Sequence, residues 1–115
     1  MARLRIERHR GYWLLVGTAA PGAVATTLGP LIMVREAWAG DPRLLRHELE
    51  HVRQWRDQGV AGFLRRYLGS YLRWRLEGMT HDAAYRRIPQ EIEAEWVARR
   101  AEVVPPAAVP VPSAG

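Results

Sequence analysis

The sequence predicts a single α+β domain, in which a short antiparallel sheet or hairpin packs on a central helix and two further helices. Three observations favour this fold class. Strand-like segments alternate with glycine and proline in the first third of the chain, a well-signalled amphipathic helix begins at Asp41-Pro42, and a last helix begins at Pro89. We assign residues 1–104 to this domain. Residues 105–115 are mostly proline, alanine and valine, so we expect a disordered tail there.

The amino-acid composition restricts the kinds of partner and of metal site that the chain can have. The chain has 115 residues with a formal net charge of +5, and all 17 of its cationic side chains are arginine. A positive balance favours acidic partners such as nucleic acid or an anionic membrane surface, without selecting either. The chain has no cysteine, which excludes disulfides and thiolate metal sites. Any bound metal must therefore use histidine or carboxylate ligands.

The segment 11–34 carries no charged residue and has two interpretations. Residues 1–10 alternate apolar and charged side chains, as in a short amphipathic strand, and strands are then expected over 13–17, 24–28 and 31–35. The alternative is a signal peptide or membrane anchor within residues 1–25. Pro21, Pro30 and three glycines disfavour a spanning helix, so we expect no membrane-spanning segment and a cytoplasmic location. Export or membrane association through residues 1–25 is the alternative.

The helices have clear boundaries. Asp41 is a good N-cap, Pro42 suits the first helical position, and Gly59 is expected to end the central helix. Thr80 is expected to cap a short helix that holds His81 and Tyr85, and the last helix should run from 89 to about 103.

A second helix is expected over 60–77. Its apolar face is predicted to point to the core and its arginines to solvent. That face consists of Val60, Phe63, Leu64, Tyr67, Leu68, Tyr71 and Trp74.

The central helix carries His47-Glu48-Leu49-Glu50-His51, an HExxH motif. Histidines four residues apart lie on one helix face, so both imidazoles can bind one ion, and Zn²⁺ accepts such ligands. Glu48 projects about 100° round the helix from His47, which suits a general base acting on water rather than a ligand. The alternative is a helix that happens to carry two surface histidines.

A third metal ligand must come from a residue outside the HExxH motif. Asp57 lies about 9 Å along the same helix from His51 and on another face, so it cannot reach the ion. Glu91 and Glu95 share one face of the last helix, whereas Glu93 points about 160° away. This geometry leaves Glu91 and Glu95 as the pair, one a ligand and the other a support for the site.

These motifs resemble the gluzincin metallopeptidases. HELEH is followed 40 positions after His51 by Glu91-Ile92-Glu93-Ala94-Glu95, and the chain is closer still to the short bacterial zincin-like domains called minigluzincins. The resemblance covers most of residues 24–98 and implies a minimal zincin-like fold. It also implies one zinc ion held by His47, His51 and Glu91, with Glu48 activating water and Glu95 supporting a ligand histidine. Gluzincins usually have Asp at the position of Glu95.

The resemblance further implies a peptide or protein substrate and an edge strand above the active-site helix. Residues Ala25, Thr26, Thr27 and Leu28 fit that strand, and a substrate could pair with it through the main chain. We expect this mode because a large side-chain pocket is hard to build in 115 residues. Tyr85 and His81 are candidates for oxyanion or substrate support. The sequence leaves the oligomeric state open.

Two other function classes remain. An inactive zincin-like binding module is disfavoured by the intact Glu48, because a structural site has no use for a base beside its ligands. A nucleic-acid-associated protein with a structural metal would use the arginines of 60–77, but aromatic side chains on the core face make nucleic acid an unlikely partner.

Overall fold

The computed structural model describes residues 3–103 and gives an α+β architecture with four strands and three helices. The predicted tail over 105–115 lies outside the described residues. The strands are β1 (Arg5–His9), β2 (Tyr12–Val16), β3 (Ala25–Leu28) and β4 (Leu31–Val34). The helices are α1 (Pro42–Leu76), α2 (His81–Arg86) and α3 (Pro89–Val103), and a short 3-10 turn, Glu36–Trp38, precedes α1. The strands predicted within 11–34 are confirmed to within one residue.

The four strands form one mixed sheet in the order β1-β2-β4-β3. β1 pairs antiparallel with β2, and β3 pairs antiparallel with β4, but β2 and β4 run parallel. The expectation of an antiparallel sheet is therefore wrong for the central pair. After β2 the chain crosses to the far edge over 17–24, forms β3, and returns through the Gly29-Pro30 turn, so β4 lies between them in the direction of β2. The predicted edge position of β3 is confirmed.

One face of the sheet packs on α1 and forms the core. Alternate residues of the two central strands, Leu14 and Val16 of β2 with Ile32 and Val34 of β4, are buried together with Val52 of α1. This alternation follows from the period of two along a strand, which sends successive side chains to opposite faces. The uncharged run in the sequence thus supplies the buried face of the sheet.

Helix α1 begins and bends at the residues that the sequence indicated. The Asp41 carboxylate accepts hydrogen bonds from the backbone N–H groups of Arg43 and Leu44, at 2.9 and 3.2 Å, and so caps the helix. Gly59 has φ 75° and ψ 164°, a conformation that interrupts the helix and favours glycine. We call residues 42–58 the N-terminal arm and residues 60–76 the C-terminal arm.

The predicted core face of the C-terminal arm is only partly covered. Phe63 is buried and the aromatic residues Tyr67, Tyr71 and Trp74 are half-buried, but Val60, Leu64 and Leu68 are exposed. The expectation that this whole face packs in the core is therefore wrong. Apolar periodicity shows which residues share a face, whereas coverage depends on how much of the short chain is left to pack on it. No helix within residues 3–103 is long and apolar enough to cross a bilayer.

Helix α3 packs along the N-terminal arm and brings its first turn to the HExxH motif. Fully buried Ala94 and Ala98 allow close approach of the two helices. The Gln54 side chain donates to the backbone carbonyl of Gln90 at 3.0 Å, which ties the arm to the start of α3. This packing places Glu91 opposite the two histidines.

Candidate metal centre

Three side chains of the N-terminal arm form a compact group of potential metal ligands. His47, Glu48 and His51 each offer a ligand atom, and these atoms all lie within 4.8 Å of one another. Glu48 and His51 are buried, and His47 is half-buried. The group could hold a metal ion. The two imidazole rings lie 4.9 Å apart, as the four-residue spacing on a helix predicts.

Glu91 of α3 points its carboxylate at both histidines. Its Oε1 atom lies 3.0 Å from Nε2 of His47 and 3.2 Å from Nε2 of His51. Ligands bound tetrahedrally to Zn²⁺ at 2.0–2.1 Å are themselves about 3.3 Å apart. The two observed separations are only a few tenths of an ångström shorter than this value. Two imidazole nitrogens and one carboxylate oxygen at these separations could hold a metal ion.

Gln54 fixes the orientation of His51, a contact that the sequence analysis missed. Nε2 of fully buried Gln54 donates to the Gln90 carbonyl and, at 2.8 Å, to Glu93, so its Oε1 must face His51. Oε1 lies 2.8 Å from Nδ1 of His51 and must accept a hydrogen bond from its N–H. The other nitrogen, Nε2, faces Glu91 and either donates to it when protonated or offers its lone pair to a metal ion. The i, i+3 spacing of His51 and Gln54 is the signal that could have revealed this bond.

Two tyrosines hold the carboxylate of Glu91. Tyr85 donates to Oε1 at 2.8 Å and Tyr67 donates to Oε2 at 2.6 Å. Burial, together with the negative charge of Glu91, raises the pKa of both phenols, so both remain protonated donors. The sequence had assigned Tyr67 to the apolar face alone. Tyr85, a candidate for oxyanion support, is placed against Glu91.

The electrostatics of the site couple Glu91 to the histidines. Burial opposes ionisation of Glu91, but the hydrogen bonds to His47 and His51 outweigh burial and lower its pKa well below the ordinary value. Burial likewise lowers the pKa of His51, yet the hydrogen bond and charge of Glu91 dominate and raise it above 6.5. The carboxylate therefore favours a positive charge beside it, which either a proton or a metal ion can supply.

Glu48 is held by the edge strand. The Thr27 hydroxyl donates to Oε1 of Glu48 at 2.7 Å, and both side chains are buried. Trp55, one turn beyond His51, donates from its indole Nε1 to the Thr27 carbonyl at 3.2 Å. These two bonds fix β3 across the top of the N-terminal arm. The hydrogen bond from Thr27 uses Oε1 of Glu48 and not Oε2.

The remaining acidic residues lie further from the histidine nitrogens. Glu95 Oε1 is 3.7 Å from Nδ1 of His47, too far for a hydrogen bond, while its Oε2 accepts from Arg43 at 2.9 Å. Glu93 contacts Gln54 and Arg53. Asp57 pairs with Arg53 at 2.6 Å.

A cleft of about 1060 Å³ passes over the candidate metal centre. One wall is β3 with the preceding loop, and the other is the C-terminal arm with α2, including His81, whose Nδ1 lies 2.9 Å from the Tyr71 hydroxyl. Such a volume is typical of ligand sites. A large side-chain pocket was expected to be hard to build in 115 residues, and the cleft reaches this volume because the kinked α1 forms a second wall.

The outward edge of β3 offers a limited set of main-chain groups. Hydrogen-bonded pairs alternate along an antiparallel hairpin, and the Arg35 N–H bonds the Val24 carbonyl at 3.0 Å. Thr26 and Leu28 therefore pair with β4, whereas Ala25 and Thr27 direct their main-chain groups outward. The Thr27 carbonyl is taken by Trp55. The N–H groups of Ala25 and Thr27 and the Ala25 carbonyl are the ones that a substrate strand could use.

Comparison with known proteins gave no match: no protein-family model, curated protein or solved structure is significantly similar to this chain.

Proposed function

We propose that this protein is a zinc-dependent peptidase, in which His47, His51 and Glu91 bind the ion and Glu48 is the general base. One observation carries the proposal: Glu91 Oε1 lies 3.0 and 3.2 Å from the two imidazole nitrogens, with Glu48 in the same ligand group. A purely structural site would have no need of an acid held beside its ligands. The resemblance of the two motifs to gluzincins supports the same assignment.

Each residue of the proposed site has a separate role in peptide-bond hydrolysis. When bound, the ion polarises the scissile carbonyl and lowers the pKa of a water molecule to about 7. Oε1 of Glu48 accepts the Thr27 hydroxyl, so Oε2 is the atom that takes the proton of the attacking water. As the water oxygen bonds to the carbonyl carbon and the C–N bond breaks, Glu48 passes that proton to the leaving amine.

The other polar groups of the site orient these residues. Gln54 holds Nδ1 of His51, so Nε2 would be the nitrogen that binds the ion, and Tyr67 and Tyr85 hold the Glu91 carboxylate. Because the Tyr85 hydroxyl already donates to Glu91, it could support an oxyanion only by exchanging this bond. His81 lines the cleft, is exposed, and is the other candidate for substrate contact.

We propose that an extended peptide lies in the cleft and pairs with β3. The edge strand is joined to Glu48 by the Thr27 hydrogen bond, so pairing would bring the peptide backbone next to the base. Ala25→Pro should abolish cleavage of extended peptides, because it removes an outward N–H, while zinc content is unchanged. Ala25→Val, which keeps the donor, is the control. A folded Ala25→Pro protein that cleaves at the wild-type rate would show that substrate is held elsewhere.

Metal dependence tests the proposal as a whole. Chelation should remove about one zinc per chain together with peptide-cleaving activity, and added zinc should restore both. His47→Ala should lose the ion and unfold at lower temperature, because metal binding to the native state adds to its stability. Full zinc retention in His47→Ala would overturn the ligand assignment, and activity that survives complete metal removal would overturn the reaction.

A further inference from the structure

The C-terminal arm of α1 carries a row of exposed leucines that no described element covers. Leu64, Leu68, Leu72 and Leu76 are 38%, 56%, 57% and 79% exposed. We call these four residues the leucine row. Isolated exposed leucines are ordinary on protein surfaces, but a row of them along one helix indicates a binding surface.

Arginines accompany the leucine row. Residues 60–77 contain Arg65, Arg66, Arg73 and Arg75 and a single acid, Glu77, and all four arginines are exposed. On a helix, Arg65 and Arg75 fall within the same arc as the leucines. Arg66 and Arg73 lie further round the helix, beyond Leu76. The guanidinium of Arg87, from α2, lies 5.1 Å from the Trp74 ring and adds positive charge beside the arm. The leucine row therefore has two arginines within its arc and further arginines on the neighbouring sides of the arm.

From this combination we infer that the C-terminal arm binds the surface of an anionic phospholipid bilayer. The leucines would enter the boundary between headgroups and acyl chains, and the arginines would extend to the lipid phosphates and carboxylates. Each basic residue near such a surface adds to the attraction. The arm would lie along the bilayer and would not span it, in agreement with the absence of a spanning helix within residues 3–103.

Two other occupants fit the surface less well. A second copy of the chain would bring two arginine-rich arms together, and like charges across an interface repel each other. The leucines also turn by about 40° at each four-residue step, unlike the straight seam of paired helices. Nucleic acid would match the arginines but would leave the leucine row against phosphates.

Vesicle flotation of the full chain tests this inference. The wild type should bind vesicles of phosphatidylcholine with about one third phosphatidylserine, should bind pure phosphatidylcholine far less, and should dissociate as salt is raised. Leu72→Glu/Leu76→Glu should bind about tenfold or more weakly. Leu64 and Leu68 also line the cleft, whereas Leu72 and Leu76 do not, so the outcome of this variant is independent of the proposed peptidase. Ile6→Glu, an exposed apolar residue of β1, is the matched control and should bind as wild type.

A second variant and a mass measurement complete the test. Arg65→Gln/Arg75→Gln should remove most of the preference for phosphatidylserine while leaving the leucine row intact. Equal binding by the wild type and the double-glutamate variant would overturn the inference, as would failure of the wild type to bind anionic vesicles. A wild-type dimer that Leu72→Glu/Leu76→Glu converts to a monomer would also overturn it, because a second copy would then cover the row.

Discussion

Thr27 donates its hydroxyl hydrogen to Oε1 of Glu48 at 2.7 Å, and this bond joins the edge strand to the acid of the HExxH motif. Both residues are buried, so water does not replace the bond. It selects one carboxylate oxygen as an acceptor, and the other has no hydrogen bond to a side chain or backbone group within residues 3–103. The position of the proposed base therefore depends on β3 as well as on its own helix.

Thr27→Val keeps the shape and β-propensity of the residue but removes the hydroxyl. We expect kcat for peptide cleavage to fall about tenfold, because Glu48 is less well positioned, with zinc content unchanged. Thr26→Val is the matched control, since the Thr26 hydroxyl oxygen accepts from the Ala20 N–H and does not contact Glu48. Steady-state kinetics at equal zinc loading measures both. Equal kcat values for the two variants would contradict this role of Thr27.

The three glutamates of α3 should differ sharply in their effect on metal affinity. Glu91→Ala should weaken zinc binding at least 100-fold, since it removes a carboxylate that contacts both histidines. Glu95→Ala and Glu93→Ala should each change it by about tenfold or less, since neither contacts a histidine nitrogen within hydrogen-bond distance. Competition with a chromogenic chelator gives all three values. A loss in Glu93→Ala or Glu95→Ala as large as in Glu91→Ala would mean that the ligand is misassigned.

Gln54 should affect metal binding without touching the ion. In Gln54→Leu, Nδ1 of His51 loses its acceptor, so the imidazole is no longer fixed with Nε2 toward Glu91, and zinc affinity should fall about 10-fold to 100-fold. Gln58→Leu changes the same residue type one turn later and removes only an acceptor for Gln90, so it should bind zinc as wild type. Isothermal titration of both variants compares them. Wild-type affinity in Gln54→Leu would show that His51 needs no such support.

The metal-free protein should owe part of its stability to the pair of Glu91 and His51. A raised histidine pKa stabilises the fold below 6.5 and ceases to do so as pH rises through the folded value. A lowered carboxyl pKa stabilises it above 4.5 until pH falls through the folded value. The free energy of urea unfolding should therefore differ between wild type and Glu91→Gln more at about pH 5.5 than at about pH 9. An equal or larger difference at the higher pH would contradict the coupling.

The sequence predicted the features that depend on residues close together along the chain. The HExxH spacing places His47 and His51 side by side on any helix, and the Asp41 cap and Gly59 break fix where that helix lies. The i, i+4 relation of Glu91 and Glu95 was also correct as a statement about one face of α3. Which of the two carboxylates meets the histidines depends on how α3 packs on α1, and periodicity does not contain that information.

The features that the sequence did not predict depend on contacts between distant parts of the chain. Parallel pairing of β2 with β4 depends on the crossover at 17–24, which the strand patterns do not encode. Gln54 acquires its role from the Gln90 carbonyl of another helix, 36 residues away. Leu64 and Leu68 of the leucine row were predicted to face the core, because a repeating apolar face looks the same whether or not another element covers it.

The most direct test of the proposed function compares wild type with Glu48→Gln at equal zinc loading, using cleavage of an extended peptide. Glutamine keeps the size and most contacts of the side chain but cannot take a proton, and metal content should remain about one ion per chain. We expect Glu48→Gln to cleave the peptide about 10²-fold to 10⁴-fold more slowly than wild type, which is the usual contribution of a general base. A zinc-loaded Glu48→Gln protein that cleaves the peptide at the wild-type rate would contradict it.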